Sequence, residues 1–234
     1  MSVDVSVLRG RSPVSGLKAQ DFALADNGVP QKIETLLLDS LPLDVTLAVD
    51  TSSSVIPNID AFRTEVRRFA GMLRQTDRIR VVAFGTGVSE AVRMRPAGDE
   101  LDLSALDAQG ATALNDGLLY ALLWPPTQGR RHLVIVLTDG IDTVSTVSGP
   151  EVAAVAASVE AVVHAVLVPP PAPFSWSWQR GSLEAVREIA RHTGGAIHDL
   201  QKAASNFKTI VDEFRAGYVL RYVPEASRAT ASTI

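Results

Sequence analysis

Residues 43–54 read Leu43-Asp44-Val45-Thr46-Leu47-Ala48-Val49-Asp50-Thr51-Ser52-Ser53-Ser54, and this stretch decides the fold. Its first seven residues are mostly apolar and rich in β-branched side chains. Such a run suits a strand buried on both faces of a parallel sheet. The polar D-x-S-x-S run then falls just past the carboxyl end of a central strand, where open α/β sheets bind ligands. An Asp and two hydroxyls at two-residue intervals can turn three oxygens toward one point. An oxygen-only donor set suits a hard divalent cation such as Mg²⁺ or Mn²⁺. Taken alone, the same residues also read as an ordinary helix N-cap.

Downstream of this stretch, strands and helices alternate, the pattern of a doubly wound sheet. Residues 56–74 place Ile59, Phe62, Val66, Phe69, Ala70 and Leu73 at helical spacing. Residues 78–84 form a second buried strand, and 88–94 an edge strand after Gly85-Thr86-Gly87. A helix over 113–123 is stopped by Pro125-Pro126. Residues 132–137 are the clearest buried strand, followed by Thr138-Asp139-Gly140. An Ala-rich helix over 150–160 takes Pro150 in its first turn. A strand over 162–168 leads into an irregular loop, 169–181, that carries Phe174, Trp176 and Trp178. Ser182 caps a helix running to about His192, a short strand follows at 196–198, and the last helix spans 203–215. The expected fold is α/β, a Rossmann-like, mostly parallel doubly wound sheet flanked by helices.

Upstream the texture differs. Residues 3–8 alternate apolar and polar like a half-buried strand, 9–16 read as a turn, and a short strand centres on Phe22-Ala23-Leu24. Asn27-Gly28 is a hairpin turn signal, and 31–38 form the returning strand. Residues 1–40 are too few to build a core alone. The strand at 218–223 lies outside the α/β alternation and is expected to pair with them. The expected organisation is a β appendage from 1–40 pairing with 217–225, an α/β domain over 41–216, and a frayed tail over 226–234.

Composition narrows the function. The chain has 234 residues, 46% of them hydrophobic, and a net charge of −4. Without a basic stripe, nucleic acid is not an expected partner. No apolar run approaches the roughly 20 residues that span a bilayer. Cysteine is absent, which excludes disulfides, zinc–thiolate sites and thiol catalysis. Met1-Ser2-Val3-Asp4 has neither the basic start nor the apolar core of a secretory signal. That start fits either a cytosolic protein or a piece of a longer one.

Oxygen donors gather at one sheet edge. Asp50, Ser52 and Ser54 follow the first α/β strand, Asp139 follows the strand at 132–137, and Thr112 follows Gly110-Ala111 before a helix. Parallel strands put their carboxyl ends on one side, so residues far apart in sequence can meet there. Three hydroxyls and two carboxylates balance a divalent charge and leave room for water or an outside ligand.

These motifs, in this order and on these elements, resemble the metal-ion-dependent adhesion site (MIDAS) of a von Willebrand factor A domain, over about residues 41–216. The segments Gly16-Leu17-x-x-x-Asp21-Phe22, Asn27-Gly28-x-x-Gln31 and Tyr218-Val219-Leu220-x-Tyr222 also resemble a bacterial, acidobacterial-type subfamily of such proteins. The resemblance implies that Ser52 and Ser54 ligate the metal directly and that Thr112 does so directly or through water. It implies that Asp50 and Asp139 act through water. The expected cation is Mg²⁺, with Mn²⁺ or Ca²⁺ as alternatives, and the resemblance implies that the sixth position takes a carboxylate from a partner protein. Carboxylates held one shell out leave the ion electron-poor and in need of an anionic ligand. The implied role is a non-enzymatic, adhesion-type binding module of an exported protein, periplasmic or extracellular. The alternative is a structural scaffold within a larger exported assembly. One departure stands out: many relatives carry Gly where this chain has Ser53, which adds a β-carbon where unusual dihedrals are anticipated.

Other candidates weigh less. The 174–178 aromatics would lie near the metal rim, either as partner anchors or folded back over apolar surface. His132, His164, His192 and His198 lack ligand spacing. Asp142 reads as a loop or cap residue. Asp116 suits the start of a helix and could also brace the metal loop. A haloacid-dehalogenase-like phosphatase would need a second acid where Ser52 stands. No P-loop, complete G-x-G-x-x-G or G-x-S-x-G elbow is present, so catalysis is not expected.

Overall fold

A computed structural model describes residues 1–5, 7–9, 12–14, 16–38, 41–125, 127–168 and 177–224. Phe174, Trp176 and the tail 226–234 lie outside the described residues, as does the side chain of Trp178. In chain order the first strands are β1 (Ser2–Val5), β2 (Leu8–Arg9), β3 (Ser12–Pro13), β4 (Leu24–Asp26), β5 (Val29–Gln31) and β6 (Ile33–Leu38). Then come β7 (Leu43–Asp50), α1 (Ile59–Ala70), β8 (Arg78–Phe84), β9 (Val88–Pro96), α2 (Leu114–Leu122) and β10 (Arg131–Thr138). The chain closes with α3 (Gly149–Ala156), β11 (Ala161–Leu167), α4 (Ser177–His192), β12 (Ile197–Asp199), α5 (Ala203–Ala216) and β13 (Tyr218–Tyr222). Two compact units divide it: Met1–Ser40 with Asp212–Ile234, and Leu41–Val211.

In the smaller unit, β13 lies between β1 and β6 and runs antiparallel to both. Tyr218 is its buried anchor. The Tyr218 hydroxyl donates to the Val14 carbonyl at 2.7 Å and accepts from the Leu17 amide at 3.0 Å, while Phe22 meets its ring edge-on. The β4–β5 hairpin turns on Asn27 and Gly28, both at positive φ (49° and 79°), as a tight hairpin requires. Two expectations change here. The strand foreseen over 3–8 is two shorter ones, β1 and β2, the second paired with β3. Residues Ala19–Asp21 form a 3₁₀ turn held by the Asp21 carboxylate on the Lys18 amide, so the strand foreseen around Phe22 starts later, at Leu24.

The larger unit is built on a six-stranded sheet of order β12-β11-β10-β7-β8-β9, parallel except for β9. This is the Rossmann-like α/β arrangement. Strands β7 and β10 sit at its centre, and every residue of both is buried. Helices cover both faces, which is why these strands read as continuous apolar runs. On one face α2, α3 and α4 bring Leu114, Leu118, Val152, Val186 and Ile189 against Ala48, Phe84, Val134, Val136 and Val163. On the other, α1 supplies Phe62, Val66 and Phe69, and Phe69 packs edge-on against Phe207 of α5 at 5.1 Å. Burying one such Phe is worth about 2–3 kcal/mol.

A charge lies inside this sheet. Arg80 of β8 is 2% exposed, with its guanidinium over the Trp124 ring (4.4 Å) and near that of Tyr120 (5.5 Å). It donates to Thr46 Oγ1 and to the Ala121 carbonyl, and Glu90 lies 3.9 Å away. These partners make its burial tolerable.

Helix boundaries shift for local reasons. Pro57 removes an amide donor, so residues Ser53–Asn58 wind as 3₁₀ turns before α1 begins. Helix α3 ends at Ala156 rather than 160, where the Ser158 hydroxyl and amide both bond to the Val155 carbonyl. Helix α4 begins at Ser177, not at Ser182, which corrects the expected loop end and cap. It runs through Gly181, whose cost in a helix is only about 1 kcal/mol.

Candidate metal centre

Asp50 is the last residue of β7 and is fully buried. Its two oxygens have separate tasks. Oδ1 accepts the Ser52 amide at 2.9 Å, turning the chain sharply after the strand. Oδ2 accepts the Thr138 hydroxyl at 2.6 Å from the neighbouring strand β10. The turn brings Ser52 Oγ and Ser54 Oγ to 3.0 Å of each other. Ser54 lies near enough to Asp139 to draw its carboxyl down against the effect of burial. Asp139 Oδ1 accepts the Ile141 amide at 3.0 Å, whereas Oδ2 is buried with no hydrogen-bond partner. Asp50, Ser52, Ser54 and Asp139 are therefore brought together.

Thr112, 3% exposed, is tied in through its backbone. Its amide donates to Thr143 Oγ1 at 2.8 Å, and its carbonyl accepts the amides of Thr143 and Val144 at 2.8 and 3.1 Å. The same segment is fastened to the loop after β7, since the Ser53 amide donates to the Gly110 carbonyl and Gln109 donates to Thr51. Gly110 has φ of 74°, and a β-carbon there would stand 2.3 Å from Thr86 Oγ1. Ser53 itself raises no such conflict: among the described residues Asn27 is the one non-glycine at positive φ, so the anticipated need for Gly at 53 is not met.

Sequence reasoning missed several residues that shape this edge. Thr138, Thr143 and Ser145 are bonding partners rather than candidate donors. Asp142 accepts the Asn115 amide at the start of α2 and pairs with the Ser145 hydroxyl, which makes it a cap. Asp116 sits in the first turn of α2 and also accepts the Thr146 and Val147 amides at 3.0 Å, bracing the loop after β10. The signal available was Asp at a helix start with a Ser/Thr-rich loop elsewhere, which does not say which loop it grips.

Electrostatically the edge holds two carboxyls away from water. Burial drives the Asp50 carboxyl up to about 6, and the facing Asp139 charge pushes the same way, against hydrogen bonds from Ser52 and Thr138. Burial also raises Asp139, with Ser54 and backbone amides opposing. Two buried acids acting on each other, one with an unpartnered oxygen, together with two adjacent hydroxyls, form a donor set that a hard divalent ion fits. Histidine does not enter it. His132 bonds Thr46 Oγ1 at 2.9 Å, and the His164 and His198 rings hydrogen-bond each other, Nδ1 to Nε2, at 3.0 Å. Among the described residues no three His, Cys, Asp or Glu cluster as a metal-holding group, so hydroxyls must complete any site here.

A doubly wound α/β domain with its polar loops gathered at the carboxyl edge defines the class. The von Willebrand factor type A domain matches residues 44–213, and the chain belongs to that family. Solved structures agree on the fold. An aerotolerance-related membrane protein from Bacteroides fragilis superposes with a TM-score of 0.55 at 16% identity, over 74% of this chain and 98% of that one. The pilus adhesin SpaC from Lactobacillus rhamnosus GG gives 0.59 at 15% identity, over 83% and 33%. Proximal thread matrix protein 1 from the mussel byssus, with a zinc-occupied MIDAS motif, gives 0.60 at 17% identity, over 82% and 50%. At these identities the likeness is one of fold. No curated protein matches the chain.

Proposed function

We propose that the chain is a non-enzymatic, metal-dependent protein-binding module. Ser52 and Ser54 would hold a divalent cation directly and Thr112 directly or through water, with Asp50 and Asp139 acting on it through water. Mg²⁺ is the first choice, and Mn²⁺ or Ca²⁺ suit the same oxygens. When bound, the ion supplies an electron-poor coordination position that takes a carboxylate from a partner protein. The observation that carries this reading is Asp139 Oδ2, buried without a hydrogen-bond partner beside the Ser54 hydroxyl. The chain's own residues do the rest: Asp50 and Thr138 hold the turn that aligns Ser52 and Ser54, and Thr143 and Asp116 hold the two loops opposite. The zinc-occupied site of the mussel protein makes metal binding within this fold concrete.

Calorimetric titration of the EDTA-stripped chain with Mg²⁺ and Mn²⁺ tests it. Heat release and a thermal shift are expected, abolished by Asp50→Ala and kept by His132→Ala. Silence in both measurements for the wild type overturns the proposal.

A scaffold role is the second reading, favoured by one observation: Asp116, Asp142 and Thr143 tie the loops together through protein hydrogen bonds. A partner held equally in EDTA and by Thr112→Ala would support it. Export of the parent protein to the periplasm or cell surface is part of the main proposal. It is supported by the membrane and pilus proteins that share the fold. Among the described residues no helix is long and apolar enough to cross a membrane.

A further inference from the structure

Single apolar side chains in solvent are ordinary, so position must decide whether one matters. Among the described residues the large exposed ones are Met1, Ile56, Tyr120, Leu123, Val144 and Val223. Ile56 and Val144, 54% and 47% exposed, stand on the two loops that frame the candidate metal centre. Ile56 lies in the 3₁₀ turn two residues past Ser54. Val144 lies in the loop after β10, five residues past Asp139. Strands β7 and β10 are neighbours, so their carboxyl-end loops are too.

Both loops are fastened to one short segment, Gly110-Ala111-Thr112. The Ser53 amide holds the Gly110 end, and the Val144 amide itself donates to Thr112. Each loop also has its own core anchor: Val55 is fully buried and Ile141 is 7% exposed. Ile56 and Val144 are thus not needed to hold the loops down. Tyr120 and Leu123, in contrast, lie at the far end of α2 from Thr112.

We infer that Ile56 and Val144 are the apolar flanks of the partner-binding rim. The partner they fit is a protein segment whose coordinating carboxylate adjoins a branched or aromatic apolar side chain. This rests on the metal-dependent reading above. A carboxylate fixes the segment at the ion, but it discriminates poorly between one acidic residue and another. Two half-exposed apolar side chains beside it gain by burial only when the segment carries an apolar neighbour. An acidic segment flanked by glycine or further acids leaves both in water.

The test uses a displayed library of heptapeptides with a fixed central Asp and random flanks, selected on the Mg²⁺-loaded full chain and eluted with EDTA. The wild type is expected to enrich apolar residues beside the Asp. Peptides so selected should bind about tenfold more weakly to Ile56→Ser or Val144→Ser, a typical effect of losing a buried apolar contact. Both variants should titrate with Mg²⁺ as the wild type does. EDTA-released peptides without apolar preference, or the same preference on the double variant, overturn the inference while leaving the metal-dependent reading intact. A chain that binds Mg²⁺ by calorimetry but releases no peptide overturns both the carboxylate-binding role and this inference. A chain that does not bind Mg²⁺ at all sinks the metal centre itself.

Discussion

Thr138 donates its hydroxyl to Asp50 Oδ2 at 2.6 Å, across two parallel strands, while the other Asp50 oxygen holds the Ser52 amide. Both oxygens of the carboxylate are thereby engaged in shaping the turn. Asp50 is thus placed to aim Ser52 and Ser54. Thr138→Val keeps the side-chain shape and removes that donor, leaving a buried carboxylate oxygen unpaired. Denaturant unfolding in EDTA should show a loss of about 1–3 kcal/mol, and Mg²⁺ affinity should fall with it. Unchanged stability would mean that this bond does not organise the turn.

Asp139 should respond in the opposite way when metal is withheld. Its buried charge lacks a full set of partners, so Asp139→Asn is expected to unfold in EDTA at a midpoint no lower than the wild type. Stabilisation by millimolar Mg²⁺, which grows with ligand concentration over Kd, should vanish in the variant. A variant still stabilised by Mg²⁺ would remove Asp139 from the site.

Gly117 in α2 faces Phe84 at the end of β8, and a β-carbon there would stand 2.7 Å from the ring. Alanine ordinarily stabilises an exposed helix position by up to about 1 kcal/mol. Here overpacking dominates, and Gly117→Ala should destabilise by about 1–3 kcal/mol in urea unfolding. Since α2 carries the Thr112 segment at its start, Mg²⁺ affinity should drop as well.

Acid should weaken the fold through its buried histidines. Burial, with the Arg80 charge adding to it, pulls His132 down to about 4 from 6.5, and burial and His198 pull His164 to about 3. As pH falls from about 6.5 toward 4, the unfolded chain takes up protons that the folded chain refuses. Stability then falls, and at pH 5 His132 alone withdraws about 2 kcal/mol. Asp50 has the opposite sign: with its pKa raised to about 6, the folded chain binds that proton first and regains stability as pH drops. Comparing wild type with His132→Gln at pH 7 and pH 5 separates the two effects. The variant should lose about 2 kcal/mol less between those pH values, and an identical pH dependence would contradict a neutral buried His132.

The sheet was legible because burial on both faces leaves a local mark. β7, β8, β10 and β11 are short runs of β-branched and apolar residues, and the helices between them carry apolar stripes at helical spacing. The start of α4 was not legible, since Gly181 and Ser182 carry turn and cap signals that a continuous helix overrides. Arg80 inside β8 could be placed only once Trp124 and Tyr120, some 40 residues away, were seen over its guanidinium.

For the candidate centre, the chain by itself determined the donor types, their order and the strand ends that carry them, because each motif is a short local pattern. Tertiary structure alone decided which neighbours they meet. The pairing of Leu137 with Val49 sets Thr138 beside Asp50, and loop-to-loop hydrogen bonds fasten Thr112 to Thr143. Strand order and register depend on the packing of both sheet faces together, and no local stretch encodes that sum.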